Sequence, residues 1–159
     1  MAIYAKYDTV DGTATHKGHE KWLTINTIAW GAGRAITLTP GSTQSREGST
    51  PSVSEVTMTK SMDGASPKLF SFCCGLDAKG KTVKIEFVRT GSPGDTYLVY
   101  TLTDAMVSGY SVNSSGDTPE ESLSLNFTKI EMKYIPSGEA NDAGSPVIAS
   151  YDATTGEAS

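Results

Sequence analysis

Two histidines stand three apart, His16 and His19, with Glu20 directly after them. On a helix that spacing would present two imidazoles to one zinc ion. Here the flanks are Gly12, Thr13, Thr15 and Gly18, so the segment reads as a turn, and no third ligand follows at a recognisable spacing. The pair is expected to lie in a solvated loop, and no metal ion is expected. These are also the only two imidazoles in the chain, and a serine or threonine nucleophile needs an adjacent base and a third group to orient it. No G-x-S-x-G turn is present to expose such a serine. Cys73 and Cys74 are neighbours, so their Cβ atoms diverge and a mutual disulfide would need unusual backbone geometry. They read as two small buried thiols in a reducing compartment, without the electropositive, partly open setting of a reactive thiolate. Glu120 and Glu121 enter a strand side by side and must point to opposite faces. They cannot flank one bond as a glycosidase pair does. Gly31-Ala32-Gly33 after Ala29-Trp30 matches half of a dinucleotide loop, but the third glycine, the following helix and the βαβ partner are all missing. A bend in a long strand explains it better. No catalytic residue, cofactor site or metal site follows from these residues, and the chain reads as a non-enzyme.

The elements that position these residues are mostly strands. Val83, Ile85 and Phe87 alternate with Lys84 and Glu86, the pattern of a sheet with one wet face. Tyr97 to Leu102 is apolar on both parities, and Thr90-Gly91-Ser92-Pro93-Gly94-Asp95 makes a hairpin-like connection between the two runs. Ile3 to Val10, Trp22 to Trp30, Val53 to Lys60 and Val107 to Val112 also have strand composition. Trp22 and Trp30 share parity on one such strand, so either both are core or one lies on a contact surface. In Leu123 to Tyr134 the apolar residues change phase, from Leu123, Leu125 and Phe127 to Ile130, Met132 and Tyr134. That predicts a bulge, or a strand that leaves one buried surface for another, as when a subunit shares its sheet with a neighbour. One short helix is expected, with Ser66 as N-cap, Pro67 first and Gly75 as the stop. Leu69, Phe72, Cys73 and Leu76 share its apolar face, so it should plug or cover the sheet. Thr39 to Pro51 and the stretch from Pro136 onward read as irregular.

Composition sets the remaining bounds. The 159 residues carry 13 Lys and Arg against 18 Asp and Glu, a net charge of −5. That disfavours phosphate-backbone binding and docking on an anionic membrane, both of which need clustered positive charge. Serine and threonine make up 39 residues and glycine 16, with hydrophobic residues at 37%. This mixture points to a single, mainly β domain. The N-terminus, Met1-Ala2-Ile3-Tyr4-Ala5-Lys6, has neither the basic nor the apolar region of a secretory leader, and no apolar stretch reaches membrane-spanning length. Cytoplasmic folding is expected, followed, if the protein leaves the cell, by a route that reads no cleavable signal.

Several segments taken in order resemble the haemolysin-coregulated protein (Hcp) family, the tube subunits of the type VI secretion system. They are Val10-Asp11-Gly12, then His19-Glu20-Lys21-Trp22-Leu23, Ile28-Ala29-Trp30-Gly31, and a strand ending Met58-Thr59-Lys60-Ser61-Met62-Asp63. Ala65-Ser66-Pro67-Lys68-Leu69 follows where the family carries its helix, then Leu123-Ser124-Leu125-Asn126-Phe127, and Ile148 to Gly156 with Tyr151-Asp152. The resemblance implies two packed antiparallel sheets forming a barrel-like domain over residues 1–135, with one short helix, the long loop 39–51 and a loosely structured tail over 136–159. It further implies a hexameric ring with a central pore, and rings stacked into a tube that is expelled from the cell. The implied partners are the chain itself, the sheath, spike and baseplate components, and small secreted effectors carried in the pore. Neither nucleic acid nor membrane insertion is implied. On this basis Pro40, Arg46 and Glu47 in the loop are expected to make ring contacts, and Trp30, Gly31 and Ala32 to face the pore or its cargo. Two rivals are a carbohydrate-binding β-sandwich, in which Trp22, Trp30 and Tyr110 would stack on sugar rings, and an esterase-like enzyme built on His16 or His19.

Overall fold

A computed structural model of the chain describes residues 1–38, 40, 41, 46–91, 94–137 and 144–159. In order, the elements are β1 (Ala2–Tyr7), β2 (Leu23–Ile25), β3 (Thr27–Ala29), β4 (Ala32–Gly33), β5 (Ile36–Leu38), β6 (Arg46–Gly48), β7 (Ser52–Val53) and β8 (Val56–Ser61). Then come α1 (Ser66–Cys73), β9 (Lys81–Val88), β10 (Thr96–Asn113), β11 (Glu120–Asn126), β12 (Lys129–Tyr134), β13 (Val147–Asp152) and β14 (Glu157–Ala158).

The barrel is organised by β10, which joins the two predicted runs, Tyr97 to Leu102 and Val107 to Val112, into one strand. Its first half pairs with β9 on one edge and β12 on the other, and its second half pairs with β11. From β9 the ladder passes to β1 and β2. Across Asn26, whose N–H donates to the Thr59 carbonyl, the chain enters β3, which pairs with β8, and β8 returns to β11. The pairing path thus comes back to β10. All of these ladders are antiparallel, and β12, β13 and β14 extend beyond the barrel as a flange.

The bend in β10 has a local cause. Asp104 adopts a φ of 52°, and the register with β9 shifts between Leu102 and Ala105. Such a bulge turns the strand from one sheet into the other. Gly80 permits it, because a Cβ there would sit 2.6 Å from the Asp104 Cα. Gly80→Ala is expected to cost about 1–3 kcal/mol through overpacking, read as a lowered midpoint in urea unfolding.

The inward positions of the two sheets fill one core. Ala5, Tyr7, Leu23, Ile25, Val56, Met58, Val83, Ile85, Leu102, Leu123 and Leu125 are buried, and Leu69 and Phe72 of α1 close over them. The helix caps this core as expected, but Ala65 is the N-cap and Ser66 the first helical residue. Gly75 follows the helix with a φ of +91°, a left-handed stop that a side chain would strain.

Several sequence expectations need correction. The phase change in Leu123 to Tyr134 marks a break into β11 and β12, where the chain stops pairing beside β8 and starts pairing beside β13. The second surface belongs to the same chain. Trp22 and Trp30 do not share a strand, because the segment splits at Asn26 between the two sheets. Cys74 is exposed at the helix C-cap and only Cys73 is half-buried, while Leu76 lies past the helix in solvent. In the loop expected to be irregular, β6 pairs with β5 and β7 follows, so 32–38 and 46–53 form a β-arm; Thr39 and residues 42–45 lie outside the described residues. Residues 147–158, expected in a loose tail, supply β13 and β14, because Val147 to Asp152 satisfies the open edge of β12. Residues 138–143 lie outside the described residues.

Candidate assembly surface

The arm leaves the barrel after Trp30 and returns before Val56. Its root is a short ladder in which Ala32 pairs with Val53, and its outer part pairs Ile36 with Gly48 and Leu38 with Arg46. The Gly31 N–H donates to Ser54 Oγ at 2.8 Å, and the Ser54 N–H returns a bond to the Gly31 carbonyl, also 2.8 Å. These bonds set the direction in which the arm departs. Alternation then places Ile36 and Leu38 on one face of β5, where they are 54% and 65% exposed. A two-stranded ribbon standing alone in water is marginal, and this one carries two exposed apolar side chains on one face.

The flange offers a second apolar surface. Met132, Tyr134 and Val147 follow one another on its core-side face, and all are exposed, Val147 to 66%. Between the flange and the arm root runs a groove of about 240 Å3 whose walls include Trp30, Val53, Ile130, Met132, Ala149 and Tyr151. Tyr151 Oη reaches the Pro51 carbonyl at 3.4 Å and ties the flange to the arm.

The predicted site residues therefore fall at two ends of one device. Pro40 is exposed in the turn beyond β5, and Arg46 and Glu47 occupy paired positions on β6. Gly31 and Ala32 are exposed at the arm root, whereas Trp30 is half-buried, its ring meeting Tyr100 edge-on at 5.4 Å. The three aromatic residues that a sugar-binding row would need are spread apart. Trp22 packs against His19, Trp30 against Tyr100, and Tyr110 against Phe70, with its hydroxyl on Glu121.

Two buried polar clusters were not anticipated. In the first, the loop 11–22 folds over the outer face of β1 and β9, so His19 is buried instead of solvated. Its Nε2 lies 2.8 Å from Glu86 Oε2, and its Nδ1 lies 3.3 Å from His16 Nδ1. Thr96 Oγ1 donates to the same Glu86 oxygen at 3.0 Å, and Lys84 pairs with the other at 2.8 Å. The hydroxyl in this cluster is thus aimed at the carboxylate and not at an imidazole. Burial works against the charge of Glu86, but hydrogen bonds from Lys84, His19 and Thr96 outweigh it and hold the carboxyl below its ordinary value of 4.5. A carboxyl lowered in the folded state stabilises above its unfolded value and loses that contribution as pH falls through the lowered one. Glu86→Gln should therefore reduce stability at neutral pH and flatten the acid side of the stability profile, measured by urea titration from pH 7 downward.

In the second cluster, Lys60 and Glu121 are cross-strand partners on β8 and β11, and both side chains are wholly buried. Lys60 Nζ contacts Glu121 Oε1 at 2.5 Å, Asp63 Oδ1 at 2.9 Å and the Ser61 carbonyl at 2.9 Å. Ser66 Oγ donates to Glu121 Oε1 at 2.9 Å, and Tyr110 Oη donates to Oε2 at 2.7 Å. Burial, with the hydrogen bond to Glu121 and its charge, pushes the Tyr110 hydroxyl up to about 12. Every group is matched, and the cluster fixes the start of α1 onto the sheet. Among the described residues, no helix is long and apolar enough to cross a membrane.

Residues 4–134 match the family described as "Type VI secretion system effector, Hcp". Among solved structures, the chain is similar to one described as a type six secretion system protein, with 27% identity, 99% of each chain covered and a TM-score of 0.89. Hcp1 from Salmonella typhimurium shares the fold at 24% identity, with 99% of this chain and 98% of that one covered and a TM-score of 0.79. A type VI secretion system effector from Yersinia pestis shares it at 22% identity, with coverage of 94% and 98% and a TM-score of 0.72. Comparison with curated proteins gives no match.

Proposed function

This chain belongs to the Hcp family of the type VI secretion system, and from that premise we propose that it is a structural subunit whose activity is assembly. Identical copies close into a hexameric ring, rings stack into a tube, and the tube leaves the cell with small effectors in its channel. Its partners are then other copies of itself, the sheath, spike and baseplate of the machine, and the cargo.

The observation that carries this reading is the pairing of two unlike apolar surfaces on one small domain. The face of the arm bearing Ile36 and Leu38 and the flange strip of Met132, Tyr134 and Val147 are both uncovered in a single copy. A closed ring is a head-to-tail assembly, so each copy must offer two different patches that fit one another. Exposed apolar surface of this kind marks a contact site. In the ring, the arm of one copy lies on the flange of the next, with Pro40, Arg46 and Glu47 at the contact. Gly31 and Ala32, exposed at the arm root, line the channel with Trp30 behind them.

Electron microscopy of the purified chain, with light scattering on the same sample, tests the reading. Annular particles of six-subunit mass are expected. A monomer at every concentration, or particles without a central opening, overturns it.

A further inference from the structure

We propose that His16 and His19 form a two-imidazole seat for a divalent transition-metal ion of the zinc class, oriented by Glu86. The two Nδ1 atoms face each other at 3.3 Å. Two nitrogens bound to one tetrahedral zinc at about 2.0–2.1 Å are about 3.3–3.4 Å apart, so the pair already stands at the spacing such an ion requires. The opposite nitrogen of His19 meets the Glu86 carboxylate at 2.8 Å. That is the arrangement in which a ligating histidine donates its second N–H to a carboxylate, leaving the facing nitrogen unprotonated to bind metal.

The surroundings hold both rings in place. Tyr4 stacks on His16 and His19 with centroids at 5.4 and 4.8 Å, and Trp22 meets His19 edge-on at 4.8 Å. Lys84 and Thr96 fix Glu86 from β9 and β10. Glu20, anchored by the Gly18 N–H, adds negative charge that acts on both imidazoles. His19 is buried while His16 is half-buried, so solvent reaches the pair at His16. Among the described residues, no group of three or more His, Cys, Asp or Glu gathers to hold a metal, so water completes the coordination. A labile ion, preferring the nitrogen-binding metals zinc, copper and nickel to magnesium or calcium, is the class that fits. The H-x-x-H spacing reads as a bare turn in the sequence. Folding the loop onto the outer face of the sheet turns it into a donor pair.

The test is calorimetric titration of the full chain, free of any polyhistidine tag, with zinc alone and with magnesium alone. One zinc per chain and no magnesium binding are expected. His16→Gln keeps the His19–Glu86 contact and should weaken zinc binding at least tenfold with circular dichroism unchanged. Glu86→Gln should weaken it by about 10–100-fold. Nitrogen NMR should show zinc shifting the Nδ1 signals of both histidines while His19 Nε2 keeps its proton. Zinc should also raise the melting temperature of the wild type but not of His16→Gln. Equal affinity in wild type and His16→Gln, or no zinc uptake by the wild type, overturns the proposal. The contact would then be a shared proton between two rings.

Discussion

Lys60→Ala is expected to lower stability by about 3–5 kcal/mol, the cost of removing one partner from a buried ion pair. Folded domains are stable by only about 5–15 kcal/mol, so this one change removes a large share of the margin. The reason lies in what stays behind. Glu121 keeps its bonds from Ser66 and Tyr110 but loses the only cation among its described hydrogen-bond partners, in a place where both side chains of the pair are fully buried. Asp63, which holds the turn before α1 through Ala65 and Ser66, loses the same cation. The double variant Lys60→Met with Glu121→Met separates pairing from packing. Replacing a buried ion pair by apolar residues of similar size is often neutral, although Tyr110 and Ser66 would then lack their acceptor. The double variant should recover much of the loss, as measured by urea unfolding of all three proteins. A single Lys60→Ala costing under about 1 kcal/mol would contradict this account, because that is the range of exposed pairs.

The pair was partly legible in the sequence. Val56, Met58 and Lys60 share one parity, as do Glu121, Leu123 and Leu125, so the charged residues stand on the buried face of their strands. What sequence could not supply was the register that sets Glu121 opposite Lys60. Register depends on the ladder with β11, and β11 sits beside β8 only through a contact some sixty residues away in the chain. The strands, the helix and its glycine stop were readable because period and capping are local. The bend in β10 was not, since it rests on Gly80 meeting Asp104 across two strands. Likewise β13 hides in a polar, glycine-rich tail, where its strand character comes from the vacant edge of β12 and not from its own pattern.

The assembly surface shows the same division. Loop 39–51 stood out by its length and composition, and Gly31-Ala32, read as a bend in a long strand, lies where β3 ends and the arm begins. Ile36 and Leu38, which the proposed contact uses, precede the loop and look like two ordinary strand residues. Only their exposure on a ribbon detached from the core reveals them. His16 and His19 were read as solvated because the glycines around them signal a turn. No local pattern indicates that the turn lies against Glu86 and Tyr4.

Leu38→Asp is expected to dissolve the ring while leaving the subunit folded. Leu38 is 65% exposed in the single copy and takes no part in the core, so an aspartate there meets water in the monomer and costs its fold little. In the proposed ring the same position would be covered by the flange of the next copy. Withdrawing a buried leucine forfeits about 1.5–3 kcal/mol, and placing an unpaired carboxylate against the apolar flange adds a desolvation penalty. A loss of about 3 kcal/mol weakens each contact by about a hundredfold, at 1.4 kcal/mol per factor of ten. A ring repeats the contact at every interface, so the loss compounds around the circle and assembly fails as a whole. Val147→Asp on the flange should do the same from the other side. Mixing each variant with wild-type copies tests the proposed contact further. Each retains one intact patch, so a Leu38→Asp copy can still accept a wild-type arm on its flange, but it cannot extend its own arm to close a ring. Light scattering should therefore give monomer-sized particles for each variant alone and short open chains when either is mixed with wild type. Unfolding midpoints should stay close to those of the wild-type monomer. Intact rings in Leu38→Asp would show that the arm is not the contact, and the neighbouring copies would then have to meet through some other face.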